Sequence, residues 1–211
     1  MKILLLSMVF GCFLASATEK VQFTKSFPGS IPAFCSVEVE KSGALRYKES
    51  AAEEPLQAQM QEADVAALFA MAEKLEYFKT PLESGLKVAN TGKKTFRYES
   101  DSGAATEVVF NYSLNETAKQ LLERFEQIAA TERSYIDLDR AIHFDKLGVN
   151  DALAQVESLW LRKELATPEQ FLPLLTRIVS HETFMHLVRE RAARLKDEFL
   201  APARASAAGQ K

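Results

Sequence analysis

Two stretches of this chain alternate apolar and polar residues with period two, and each is followed by a stretch with the helical period of about 3.6. Between Phe34 and Glu40, the residues Cys35, Val37 and Val39 alternate with Ser36, Glu38 and Glu40. Side chains two apart on a strand share a face, so the pattern predicts a half-buried strand. Ser42-Gly43 supplies a tight turn, and Leu45 and Tyr47 continue the alternation on a return strand. A polar link over 50–55 leads to an amphipathic helix over 61–78, with Val65, Leu68, Phe69, Ala72, Leu75 and Phe78 on one side.

The same order then recurs. Over 94–99, Phe96 and Tyr98 lie on one side of a strand. Asp101-Ser102-Gly103 turns the chain, and Thr106, Val108, Phe110 and Tyr112 form the apolar side of the partner. Ser113, with Glu116 three residues on, has the form of a capping box. The helix it opens carries Ala118, Leu121, Leu122, Phe125 and Ile128. Two hairpin–helix units predict an α+β fold: a four-stranded antiparallel sheet with helices on one face. Residues 18–33 read as irregular, because Phe27-Pro28-Gly29-Ser30-Ile31-Pro32 is turn material.

From Ser134 onward the pattern is helical throughout. Ile136, Leu138, Ile142 and Leu147 suggest one segment, and Leu153, Val156, Leu159 and Trp160 a second, capped by Asn150 or Asp151. Thr167-Pro168-Glu169-Gln170 combines a capping residue, proline at the first helical position and glutamine three residues after the threonine. Pro173 should kink that helix or shift its start. Ser180 is placed to cap a last helix, with Phe184, Leu187, Val188, Arg191, Leu195 and Phe199 along one side. The organisation expected is a leader over 1–17, a sheet-and-helix domain over 18–133, a helical hairpin or bundle over 134–200, and a disordered tail over 201–211.

The leader is expected from Lys2, the apolar run Ile3 to Leu14, and Ala15-Ser16-Ala17. These have the form of an export signal cleaved between Ala17 and Thr18. The run is too short for the roughly 20 residues that span a bilayer as a helix. Val9-Phe10-Gly11-Cys12 offers the alternative of a lipoprotein anchored through Cys12, with bulky Phe10 against it. Cleavage after Ala17 removes one of the two cysteines and leaves Cys35, so no internal disulfide is expected. Cys35 then reads as a small buried residue, with a reactive or dimer-forming thiol as its alternative. The formal net charge of −3 supplies no general attraction to nucleic acid.

Few residues form a chemical constellation. Asp139 and His143 have the i, i+4 spacing that lets a carboxylate and an imidazole share a helix face, and they are the first candidates for catalysis. Lys87, Lys93, Lys94 and Arg97 gather around Asn90-Thr91-Gly92 and could receive an anionic group. His181-Glu182-Thr183-Phe184-Met185-His186 superficially has the form of a zinc-protease helix, but its histidines are five residues apart. That places them roughly 140° apart on one helix, so no metal is expected there. No cofactor motif, nucleophile elbow or phosphate loop is present in the sequence.

Asn90-Thr91-Gly92-Lys93-Lys94-Thr95, Ile136-Asp137-Leu138-Asp139-Arg140-Ala141-Ile142 and the run from Pro168-Glu169-Gln170-Phe171-Leu172 to His181-Glu182 resemble stretches of uncharacterised exported bacterial proteins. The resemblance extends over most of the chain after the leader. It implies export and carries no activity or site. The resulting expectation is an exported non-enzymatic protein, periplasmic or extracellular, that binds a protein or another component of the cell envelope. It needs no cofactor, contacts no nucleic acid and has no transmembrane span after the leader. The alternatives are an exported hydrolase whose site assembles only in the fold, and a lipid-anchored envelope component.

Overall fold

The computed structural model describes residues 18–208. Residues 1–17, with Cys12 and the expected cleavage junction at Ala17, lie outside the described residues. Six strands form one antiparallel sheet: β1 (Lys20–Ser26), β2 (Phe34–Glu40), β3 (Ala44–Lys48), β4 (Leu56–Gln59), β5 (Lys93–Glu99) and β6 (Ala105–Phe110). Their spatial order is β4-β3-β2-β1-β5-β6. Both expected hairpins form, as β2–β3 and β5–β6. The expected four strands become six, because β1 and β4 also belong to the sheet.

The strand β1 corrects the reading of 18–33 as irregular. It is the seam between the hairpins, pairing Phe23 with Val37 on one side and with Phe96 on the other. Its alternation is short: Val21 and Phe23 are fully buried, but the next inward position is Lys25. That lysine truncates the apolar signal, and the proline- and glycine-rich turn after it masks the rest. The edge strand β4 is only four residues long and carries Gln57 and Gln59, which is weak strand material. The turn into β3 requires Gly43, with φ of +89° and a Cβ position 2.4 Å from Gln59 Nε2.

Five α-helices follow the expected periodicity with shifted ends: α1 (Glu62–Lys74), α2 (Glu116–Phe144), α3 (Val149–Leu161), α4 (Leu172–Ser180) and α5 (His186–Ala208). The cap of α2 is Asn115, whose side chain accepts from the Ala118 N–H at 3.1 Å. Ser113 instead accepts from the Asn115 N–H, so the expected capping box does not form. Gly148 is the cap residue of α3, without a side-chain bond from Asn150 or Asp151. Pro173 shifts the start of α4, and a one-turn 3-10 helix at Pro168–Phe171 precedes it. Ser180 ends α4 rather than capping α5, its hydroxyl donating to the Arg177 carbonyl at 3.1 Å. Leu147 and Leu187 are exposed, and Tyr112 lies beyond β6. The last helix continues to Ala208, into the tail expected to be disordered.

One face of the sheet is covered by α1 and the first half of α2. Val21, Phe23, Val37, Val39, Leu45, Tyr47 and Phe96 meet Val65, Leu68, Leu121, Phe125 and Ile128 in a first core. A second core joins Leu138 and Ile142 to α3, α4 and α5. The expected boundary between 133 and 134 therefore falls inside a continuous 29-residue helix that serves both cores. The other sheet face carries a ladder of alternating charge. Arg46 pairs with Glu38 and Glu40 at 2.7 and 2.6 Å, Lys20 with Glu38 and Glu99, and Arg97 with Glu99 and Glu107. Alternation sends these residues to the solvent side, where opposite charges on neighbouring strands neutralise one another.

Candidate binding cavity

At the end of the sheet where β1 runs into β2, the chain crosses the mouth of a cavity of about 480 Å³. Its floor is Phe23, Cys35 and Tyr47 from the sheet; its roof is Phe27, Ile31 and Pro32 from the β1–β2 connection. The wall is α2, where Glu126, Ala129, Ala130 and Arg133 fall on one side. Two alanines at the wall leave the space that larger side chains would fill. The connection is closed by the Phe27 N–H, which donates to the Ala33 carbonyl at 2.8 Å. Phe27 is backed by Gly92, where a Cβ would lie 2.9 Å from the Phe27 Cβ. Ile31 stands 85% exposed at the mouth.

Among the cavity's polar groups on the sheet, Lys25 breaks the inward apolar pattern, whereas Tyr47 and Cys35 belong to it. Lys25 reaches Glu126 on α2, its Nζ donating to Oε1 at 2.8 Å. The Tyr47 hydroxyl donates to Glu49 Oε1 at 2.9 Å, and burial first, then the neighbouring Glu49, pushes its ionisation well above the ordinary tyrosine value. Burial likewise pushes the Cys35 thiol up. Thiolate is the nucleophilic form, so this thiol packs as a neutral apolar group. The arrangement can enclose an apolar group and orient a charged one.

A second cavity of about 220 Å³ adjoins the first and shares Lys25 and Glu126 with it. Lys94 and Lys119 line it with Thr91, Asn111 and Ser113. The Lys94 side chain is buried, and its Nζ donates to Thr91 Oγ1 and the Asn111 carbonyl, both at 2.8 Å. Burial holds its pKa below the ordinary lysine value, and the positive Lys25 adds to that shift.

The four cations expected to act together are separated by strand alternation. Lys94 points toward the helices, whereas Lys93 and Arg97 stand on the opposite face of β5. Arg97 is paired with Glu99 and Glu107, and Lys87 lies in the exposed loop before the strand. Only Lys94 reaches the cavities, where it meets Lys25, which sequence reasoning missed with the strand that carries it.

Asp139 and His143 do meet. The Nδ1 of His143 lies 2.8 Å from the Asp139 carbonyl and 3.3 Å from its carboxylate. Arg177 on α4 adds a third group, its Nη1 lying 2.8 Å from His143 Nε2. A guanidinium only donates, so Nε2 accepts and Nδ1 carries the proton. The cluster lies on the outside of the bundle, with the His143 and Asp139 side chains 37% and 44% exposed. The two histidines of the zinc-like segment belong to different elements: His181 follows α4 and His186 begins α5. Among the described residues no group of three or more His, Cys, Asp or Glu side chains could hold a metal ion.

Compared with models of known protein families and with curated proteins, this chain matches none, and its function is read from its own residues.

Proposed function

We propose that this chain is an exported, non-enzymatic binding module of the cell envelope or periplasm, and that the cavity between the β1–β2 connection and α2 is its binding site. One observation carries the reading: an apolar cavity of about 480 Å³, with an ion pair at its side and a neutral thiol in its floor. That volume falls within the range of about 300–1,000 Å³ that small-molecule sites occupy. No described helix is long and apolar enough to cross a membrane. The test is native mass spectrometry of the full chain after incubation with an envelope extract. A discrete adduct retained by the parent and lost in Ala129→Trp, which fills the cavity, is expected. Identical spectra for parent and variant would refute the site.

The export part of the proposal rests on the leader sequence. Intact mass of the protein recovered from cells should correspond to a start at Thr18; a diacylated start at Cys12 would assign the lipid-anchored alternative. A hydrolase reading is favoured by one observation, the third polar group that Arg177 brings to His143. Hydrolysis of ester, amide or phosphate substrates that disappears in His143→Ala would replace the binding reading with that one.

A further inference from the structure

On the inner face of the sheet, cross-strand rows follow one another along β1. Val39, Val21 and Tyr98 are in register, and then Val37, Phe23 and Phe96. The last inward row is Cys35, Lys25, Lys94 and Phe110. Two lysines thus stand directly opposite each other on the face that everywhere else is given to the core. Like charges in that relation destabilise a sheet. A departure from local pattern of this kind marks a functional position more often than a structural one.

The lysines are not neutralised in proportion. The two adjoining cavities are lined by Lys25, Lys94, Lys119 and Arg133 with the carboxylate of Glu126, and Arg133 is paired with Glu49 and Asp137 at 4.0 and 3.8 Å. Lys94 is tied to neutral oxygens, the Thr91 hydroxyl and the Asn111 carbonyl at 2.8 Å and, at longer range, the Gly92 and Thr91 carbonyls at 3.3 and 3.4 Å. Lys119 reaches only Glu116, at 3.4 Å on the exposed helix surface. One carboxylate therefore answers Lys25, and none answers Lys94 among its hydrogen-bond partners.

The geometry points to a single-chain amphiphile ending in a carboxylate as the ligand: its alkyl chain occupies the larger cavity, and its head lies among Lys25, Lys94 and Lys119. This rests on the binding reading above and names its ligand class. The head group resembles the Glu126 carboxylate that already bonds Lys25, so it can share or take over that partner without a new kind of contact. The chain meets Phe23, Phe27, Tyr47 and the two alanines of α2, and Ile31 extends the apolar surface to the mouth. The larger cavity suits one alkyl chain. An uncharged head would leave Lys94 without a carboxylate partner, and a cationic head would add to the repulsion between the facing lysines.

Calorimetric titration of the full chain with decanoate and decyltrimethylammonium below their micelle concentrations, and with decanol below its solubility limit, reads the head-group preference. Loss of decanoate binding in Ala129→Trp, which fills the larger cavity, reads occupancy of that cavity. Decanoate should bind at least about tenfold more tightly than decanol, the scale of one charge-assisted hydrogen bond. Ala129→Trp should abolish its binding. Lys25→Met should abolish the preference and Lys25→Arg restore it. Lys119→Met, on the exposed helix surface, should reduce the preference without touching the sheet. Decanol binding as tightly as decanoate, with both lost in Ala129→Trp, would overturn the carboxylate assignment and leave the binding module standing. Failure of all three probes while an envelope adduct still depends on Ala129 would overturn the ligand class alone. Failure of both experiments would overturn the cavity as a binding site.

Discussion

The two halves of this molecule share α2 but are built differently. In the sheet half, aromatic rings dominate: Phe96 lies 5.0–5.9 Å from Phe110, Phe78, Phe23 and Phe125, centroid to centroid. The helical half is filled mainly by aliphatic side chains with Phe171 and Phe199, and it carries the single tryptophan, Trp160, 4.9 Å from Phe199. The sheet half leaves the two lysine-lined cavities open at its end. At the junction, the chain over 164–170 is strapped to α2. The Thr131 hydroxyl accepts from the Ala166 N–H at 3.0 Å, and Glu132 Oε1 accepts from Thr167 and Gln170, each at 2.9 Å. The halves are thus tied by polar contacts to Thr131 and Glu132, and the larger cavity opens beside them, against Ala129, Ala130 and Arg133 of the same helix.

The largest effect should come from Phe96→Ala, which empties a fully buried aromatic site and should cost about 3–5 kcal/mol. Because α2 serves both cores, the loss should move the whole transition. Urea unfolding followed by Trp160 fluorescence and by far-ultraviolet circular dichroism should show one shared, lowered midpoint. A tryptophan transition unmoved by this sheet-half substitution would show that the halves unfold separately.

Gly92→Ala should destabilise by about 1–2 kcal/mol, the cost of a side chain at positive φ. The position has φ of +99° and its Cβ would press on Phe27, so ligand binding in the larger cavity should weaken with it. A variant with unchanged midpoint and unchanged binding would show that this loop does not support the roof.

The junction should respond to pH in the opposite sense from the sheet. Burial holds the Glu132 carboxyl above the ordinary value of 4.5, against the opposing hydrogen bonds of Gln170 and Thr167, and its Oε2 has no partner. The folded chain therefore keeps a proton that the unfolded chain releases, and this site's contribution falls as pH rises from 4.5 through the folded-state value. Glu132→Gln should flatten that decline and gain on the order of 1 kcal/mol at pH 8, where the parent buries a charge. In the sheet half the signs reverse. Hydrogen bonds from Lys41 and Tyr98 lower the Glu19 carboxyl, and the backbone N–H of Asn111 lowers Glu83. Their contributions are present above 4.5 and are lost as pH falls through the lowered values. Denaturation midpoints from pH 4 to 8 for parent and variant test this, and parallel profiles would remove Glu132 as the source.

The smallest effect belongs to the outer ladder. Arg46→Ala should cost under about 1 kcal/mol, since exposed ion pairs contribute little and are screened by salt. A larger loss in a thermal melt would assign that face a structural role it shares with the core.

Much of the fold was legible in local pattern. The strand over Phe34–Glu40 matches the period-two stretch, and α1 and α3 follow the spacing of Val65, Leu68 and Ala72 and of Leu153, Val156 and Leu159. The misses at β1 and at the cavity have one cause. Lys25 occupies an inward position, so the pattern that would reveal the strand is broken by the residue that shapes the site. The Lys87, Lys93, Lys94 and Arg97 group failed for the converse reason: neighbours in sequence are opposed in a strand. Asp139 and His143 met because i, i+4 proximity is a property of any helix, whereas Arg177 came from another element.

By itself the sequence determined which side of β2, β3, β5, β6 and the helices is apolar and where the two hairpins turn, because these follow from backbone periods and from glycine at positive φ. Tertiary structure decided that β1 lies between the two hairpins, that α2 runs unbroken through both cores, and that Lys25 meets Glu126 from 101 residues away. Those outcomes depend on how whole faces are covered together. A contact between distant residues forms only once the packing of every intervening element has set both backbones, and no local period records that distance.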